Sequence, residues 1–244
     1  MQPVTEIWSQ VSSHQTPPPL AVVLAAAVLA AVLVLTPSTW PVLRHAVTLV
    51  HEGGHALVAT VSGRRLHGVR LHPDTSGLTV TRGPRRGAGA VLTFAAGYPA
   101  PGLLGLAAAA MLGAGYALGM LWALLVMLAV LLLHVRNWFG LASVLAVGVT
   151  LFAVTWWAPA QVQSAFAYLV AWFLLLAGIR PVLELQAVRR RGRGSGSDAD
   201  QLARLTHVPA VLWVAVFVVI TCGSAVLGAW WMVGAAGVNV WRGL

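Results

Sequence analysis

Residues 40–61 read Trp-Pro-Val-Leu-Arg-His-Ala-Val-Thr-Leu-Val-His-Glu-Gly-Gly-His-Ala-Leu-Val-Ala-Thr-Val, and the rest of the chain is understood from this stretch. Its centre is His51-Glu52-Gly53-Gly54-His55. On a helix, positions i and i+4 lie on one face. Two imidazoles there can grip one Zn²⁺, and a Glu between them can serve as general base toward a water. Apolar residues flank the motif on both sides. Inside a membrane span a charged side chain costs roughly 2.5 kcal/mol or more, so such groups mark a functional site by default. The plain alternative is a packed His/Glu hydrogen-bond network. Gly53 and Gly54 each cost about 1 kcal/mol against Ala in a helix. Glycine there would let another backbone or a substrate approach closely.

Composition agrees with a membrane setting. Of 244 residues, 59% are hydrophobic and 9% charged, and the mean hydropathy is +0.82. This is the profile of an integral membrane protein. The net charge is +9, carried by 15 Arg and no Lys. The Arg residues cluster in short segments between apolar runs, which is a positive-inside pattern rather than a nucleic-acid surface. Cys222 is the single cysteine, which excludes an intrachain disulfide and a Cys-based metal cluster. Only Glu6, Glu52, Asp74, Glu184, Asp198 and Asp200 are acidic, so any carboxylate chemistry must draw on these.

The expected fold class is an all-α polytopic membrane protein of about seven transmembrane helices with one short β-hairpin. Residues 1–19 are polar and Pro-rich and read as a disordered lead-in without the positive n-region of a signal peptide. One membrane domain, 20–235, follows. Its spans are expected at 20–35, 40–61, 88–114, 117–135, from 138 to about 157, 166–185 and 209–233. Residues 236–244 form a tail. In 67–82, Val69 and Leu71 alternate with Arg70 and His72, and Leu78 and Val80 with Thr79 and Thr81. Pro73-Asp-Thr-Ser-Gly77 supplies the turn between them. Residues 188–204 form a hydrophilic linker facing the cytosol. Gly97-Tyr-Pro-Ala-Pro101 is expected to kink the third span and to be architectural.

Seven alternating spans put 63–86, 136–137 and 189–204 on one face. These segments hold 12 of the 15 Arg residues. That face is expected to be cytosolic, with the N-terminus also cytosolic and the C-terminus outside. The Arg-only, Ala-rich composition associates the chain with a GC-rich bacterial genome and hence with a cell membrane.

Leu49-Val-His-Glu-Gly-Gly-His-Ala56, set in a span and followed by a hairpin, resembles the site-2 protease family of intramembrane zinc metalloproteases, more narrowly its compact bacterial branch. The resemblance covers about residues 40–205. It implies that His51 and His55 are zinc ligands, that Glu52 is the catalytic base, and that the partners are the bilayer and a membrane-spanning protein substrate cut in or near it. The runner-up is a non-proteolytic metal-binding, scaffold or transport protein that keeps the motif.

Catalytic zinc takes a third protein ligand. The family's later-span motif Asn-x-x-Pro-x-x-x-Leu-Asp-Gly is absent here. Scarcity and sidedness point to Ser197-Asp-Ala-Asp200, with Asp198 the leading candidate and Asp200 the second. Asp74, Glu184 or no third ligand remain open. Ser197 and Asp200 have capping-box spacing, which would occupy Asp200 and leave Asp198 free. Glu184 is accounted for by an i,i+4 pair with Arg180. Asn137, in Arg136-Asn-Trp-Phe-Gly140, resembles the family's motif Asn by position. It is either a holder of the substrate carbonyl or oxyanion or a helix cap. The hairpin resembles the family's membrane-associated sheet, whose open edge could take an extended substrate. Its plain alternative is a cytosolic loop.

Overall fold

The computed structural model describes residues 8–9, 11–191 and 196–241; the rest of the lead-in, the centre of the linker and the end of the tail lie outside the described residues. The chain is mostly helical. The helices are α1 (Leu20–Leu35), α2 (Trp40–Val61), α3 (Ala88–Ala96), α4 (Ala100–Gly113), α5 (Ala117–Leu132), α6 (Trp138–Trp157), α7 (Ala160–Arg190), α8 (Asp198–Thr206) and α9 (Ala210–Trp241). The two strands are β1 (Arg65–Leu71) and β2 (Gly77–Arg82). They pair antiparallel, with Leu71 opposite Gly77 and a bulge between Leu66 and Gly68.

Among the described residues three helices, α6, α7 and α9, are long and apolar enough to cross a membrane by themselves. Two bent pairs, α1 with α2 and α3 with α4, bring the number to five if each is one span. Helix α5 is apolar but shorter. The pairs turn by 102° and 72°. The α3–α4 turn falls at Gly97-Tyr98-Pro99, where the sequence predicts a kink, and Pro101 sits in the first turn of α4, a position that tolerates a missing N–H.

The 102° turn corrects the expected alternation of spans. Gly102 of α4 lies against Gly178 of α7, and Gly105 against Leu175, so these two helices run antiparallel. Small residues there let the backbones approach, as membrane helices require. Gln15 N–H donates to the Gly115 carbonyl at 2.8 Å, beyond the C-terminus of α4. At the other end of α1, Arg180 donates to the Val34 carbonyl. Helix α1 therefore runs parallel to α7, where strict alternation makes them antiparallel. The physical reason is that α2 does not return alongside α1. Trp40 at its start turns into the bundle and donates from Nε1 to Glu184 at 3.0 Å.

The main core lies between α1, α4, α5, α7 and α9, with Val23, Leu121, Tyr168, Leu175 and Met232 fully buried. A second cluster holds α8 against α7 and α9 through Leu185, Leu202 and Phe217. Burying a Leu or Phe side chain stabilises by about 1.5–3 kcal/mol against water, which is how a helix as short as α8 is held in place. Among the described residues, the hairpin, Arg136 and the C-terminal end of α7 gather at one end of the bundle around α2. Residues 14–15 and the 113–117 turn sit at the opposite end.

Candidate active site

The i,i+4 geometry of α2 puts the His51 and His55 rings 4.7 Å apart with their Nε2 atoms at 3.1 Å. Asp198 enters from the first turn of α8. Its Oδ2 lies 3.3 Å from His51 Nε2 and 3.2 Å from His55 Nε2. The structure thus brings Asp198 to His51 and His55, 147 and 143 positions earlier in sequence, in one group that could hold a metal ion.

Three features of the site fit a metal. His55 Nδ1 is 2.6 Å from the Thr93 carbonyl, so Nδ1 carries the proton and Nε2 presents a lone pair. Asp198 Oδ2 is buried and makes no directed hydrogen bond. The two Nε2 atoms and the Asp198 oxygen therefore converge on one point, where a cation would satisfy all three. Bonds of about 2.0–2.1 Å to a tetrahedral ion give ligand–ligand edges of about 3.3 Å, close to the 3.1, 3.2 and 3.3 Å observed. Finally, Gly97 at the α3–α4 break faces the two imidazoles. A methyl group at Gly97 would overlap the His55 Nε2 and His51 Cε1 positions. The kink expected to be architectural therefore lines the site, and Tyr98 beside it sits edge-on to His51 at 4.8 Å.

Asp198 is placed by its neighbours. Ser197 and Asp200 form a capping box at the start of α8. Asp200 also accepts from Arg189 at the end of α7. The expected linker is thus helical from Asp198 onward, and Asp200 is occupied in the way its spacing predicts. Burial opposes ionisation of Asp200, but hydrogen bonds from Arg189 and Ser197 outweigh it and hold the carboxyl below its usual range.

Glu52 is 4% exposed and points to the hairpin rather than to water. Thr79 Oγ1 donates to its Oε2 at 2.5 Å and lies 3.1 Å from its backbone carbonyl. Gly77 faces the same carboxylate so closely that any side chain would collide with it. Thr48, one turn before the motif, donates to the Thr75 carbonyl in the hairpin turn at 2.9 Å. The hairpin is therefore fastened along the motif helix.

Asn137 is not in the metal group. Its Oδ1 accepts from Leu71 N–H at 3.1 Å and its Nδ2 donates to the Leu71 carbonyl at 2.6 Å. It makes no side-chain cap to α6. Val69 adds two backbone bonds to the same segment, accepting from Arg136 and donating to His134. Residues 134–137 thus cover the outer edge of β1. Gly54 packs on Ala96 and Ala100, whereas nothing lies within 4 Å of the position a Gly53 side chain would take. His45 packs on Phe139, away from the triad. His67 and His72 are exposed, Asp74 bonds Ser76 in the hairpin turn, and Glu184 pairs with Arg180 and Arg44. Sequence reasoning missed Thr79, Thr93 and Gly97. Only Gly97 carried a signal, because a helix break inside an apolar span belongs where it lines a cavity.

A family model described as Peptidase M50B-like matches residues 24–228. No curated protein and no solved structure matches the chain.

Proposed function

The chain belongs to the Peptidase M50B-like family, as its likeness to site-2 proteases anticipated, and from this we propose that it is a zinc-dependent peptidase that cuts membrane-spanning substrates. Its family makes it a peptidase and its apolar helices make it a membrane protein. The observation that carries the metal chemistry is the convergence of His51, His55 and Asp198 on one point.

In this reading His51 Nε2, His55 Nε2 and one Asp198 oxygen hold the ion. Zinc bound there supplies a Lewis acid that lowers the pKa of water and polarises a peptide carbonyl. His55 keeps its lone pair on the metal side because Nδ1 is spent on Thr93. Glu52 accepts the proton of the attacking water and returns it to the leaving nitrogen. Thr79 orients Glu52 by its hydrogen bond. Gly97 leaves the room that the two imidazoles occupy. Asn137 is a positioning residue: its amide is committed to Leu71, the partner of Gly77, so it steadies the strand paired to the one that Glu52 rests on. The far edge of β2, to which no other segment makes a backbone hydrogen bond among the described residues, would receive an extended substrate.

The Arg-bearing end, which carries the site, would face the cytosol. The start of α1 would then lie at the opposite face, because α1 and α7 run the same way.

The test is cleavage of a membrane-spanning substrate by the protein in lipid vesicles, with zinc content measured in parallel. Glu52→Gln should bind zinc as wild type does and lose cleavage by at least about 10²-fold, the scale of a general base. Asp198→Ala should lose zinc. Equal cleavage by Glu52→Gln would refute the mechanism, and unchanged zinc in Asp198→Ala would remove that ligand.

A further inference from the structure

A cleft of about 440 Å³ opens beside the metal group. Tyr98 forms one wall and is also the ring set edge-on to His51 at 4.8 Å. Ser197, the residue before Asp198, lines it as well. A chain lying across the metal group would therefore project a neighbouring side chain into this cleft. Pro181, Leu185 and Val188 make its remaining walls apolar, and Arg44 and Glu184 make its far end charged.

The charges at that end do not balance. Glu184 Oε1 accepts from Trp40 Nε1 and Arg180 Nε, each at 3.0 Å, and Oε2 lies 3.0 Å from Arg44. Arg180 is the more committed of the two: it also bonds the Val34 carbonyl and lies 4.5 Å over the Trp40 ring. Arg44 has one charged partner, no other side-chain hydrogen bond among the described residues, and a side chain 36% exposed. Two guanidinium groups thus share one carboxylate, and the surplus charge rests on Arg44. Its remaining donors are shaped for a carboxylate or phosphate. Low-dielectric walls strengthen that attraction.

We infer that this cleft is the subsite for an acidic substrate side chain next to the scissile bond, the carboxylate pairing with Arg44 and the stem lying against Leu185 and Val188. The inference rests on the peptidase reading above. A lipid phosphate offers the same anionic chemistry, and the two sources separate experimentally.

The experiment compares membrane-spanning peptides that carry Asp, Asn or Arg at each position flanking the cut. Cleavage is measured with the zinc-loaded protein, and binding with zinc-loaded Glu52→Gln. Both are run in phosphatidylcholine nanodiscs with and without phosphatidylglycerol. At one flanking position the Asp peptide should be preferred over Asn by about tenfold, and over Arg by more, in kcat/KM and in affinity. Arg44→Gln should erase that ratio and Arg44→Lys should keep part of it, with zinc content showing that each variant is folded. The ratio should be the same in both lipids. No Asp preference at any position, or a preference that survives Arg44→Gln, overturns the inference. So does an Arg44-dependent affinity for phosphatidylglycerol without any substrate preference. Binding with the Asp ratio but without cleavage by wild type would instead count against the peptidase reading and leave the subsite standing.

Discussion

Thr79 on the hairpin donates its hydroxyl to Glu52 on the motif helix at 2.5 Å, and Gly77, two residues earlier on the same strand, leaves room for that carboxylate. Glu52, the proposed base, is therefore seated by an element outside the His-Glu-x-x-His motif. Hydrogen bonds to charged groups are worth about 1.5–3 kcal/mol. Thr79→Val should lower kcat by about 10- to 100-fold with zinc content unchanged, and Thr79→Ser should recover most of it. Steady-state kinetics in vesicles checks this. A fall in substrate affinity alone would assign Thr79 to substrate binding instead.

Gly97 makes a second, independent prediction. A methyl group at this position would meet both imidazoles. Gly97→Ala should weaken zinc binding by about 10- to 100-fold, the scale on which residues around a metal's ligands act, while the protein stays folded. Competition with a chromogenic chelator measures the affinity. Wild-type affinity in Gly97→Ala would mean that the α3–α4 break packs behind the site rather than into it.

The clamp between Arg189 and Asp200 predicts a dependence on pH. The Asp200 carboxyl is lowered in the folded protein, by hydrogen bonds from Arg189 and Ser197 that outweigh burial. A lowered carboxyl contributes stability above its unfolded value and loses that contribution as pH falls through its folded value. Wild type should thus exceed Asp200→Asn by about 1 kcal/mol at neutral pH, the scale of a helix cap. The gap should close below about pH 4. Thermal unfolding in detergent across that range gives the difference, and a gap that widens on acidification would contradict the assignment.

The direction of α1 can be tested as well. Its parallel run with α7 places residues 14–15 beside Gly115. Single cysteines introduced at Gln15 and Gly115, with Cys222 replaced, should react with a membrane-impermeant maleimide from the same side of sealed vesicles. A cysteine at Arg136 should react from the other side. Labelling of positions 15 and 115 from opposite faces would restore strict alternation.

Much of this was legible in the sequence because it is local. Apolar runs specify helices, alternation and Pro73-Asp74 specify the hairpin, and i,i+4 spacing specifies the histidine pair. The capping-box spacing of Ser197 and Asp200 left Asp198 as the free carboxylate, and the fold puts Asp198 beside the histidines. What could not be read depends on contacts between distant segments. Thr36-Pro37-Ser38-Thr39 suits a turn of 102° as well as a full return, and the choice rests with Trp40 on Glu184 and Arg180 on Val34. Thr79 looks like any outward strand residue until α2 is packed beneath it. Asn137 has the letters of a helix cap, yet its amide pairs with a strand 66 residues away.

The two glycines of the motif are alike on the page and unlike in space. Gly54 is closed in by Ala96 and Ala100, whereas Gly53 looks onto empty volume. A side chain at 54 would push the helices apart. One at 53 would meet no neighbour within 4 Å. One glycine of the pair is thus held by the joint between helices, while its neighbour is free of that constraint and open to replacement.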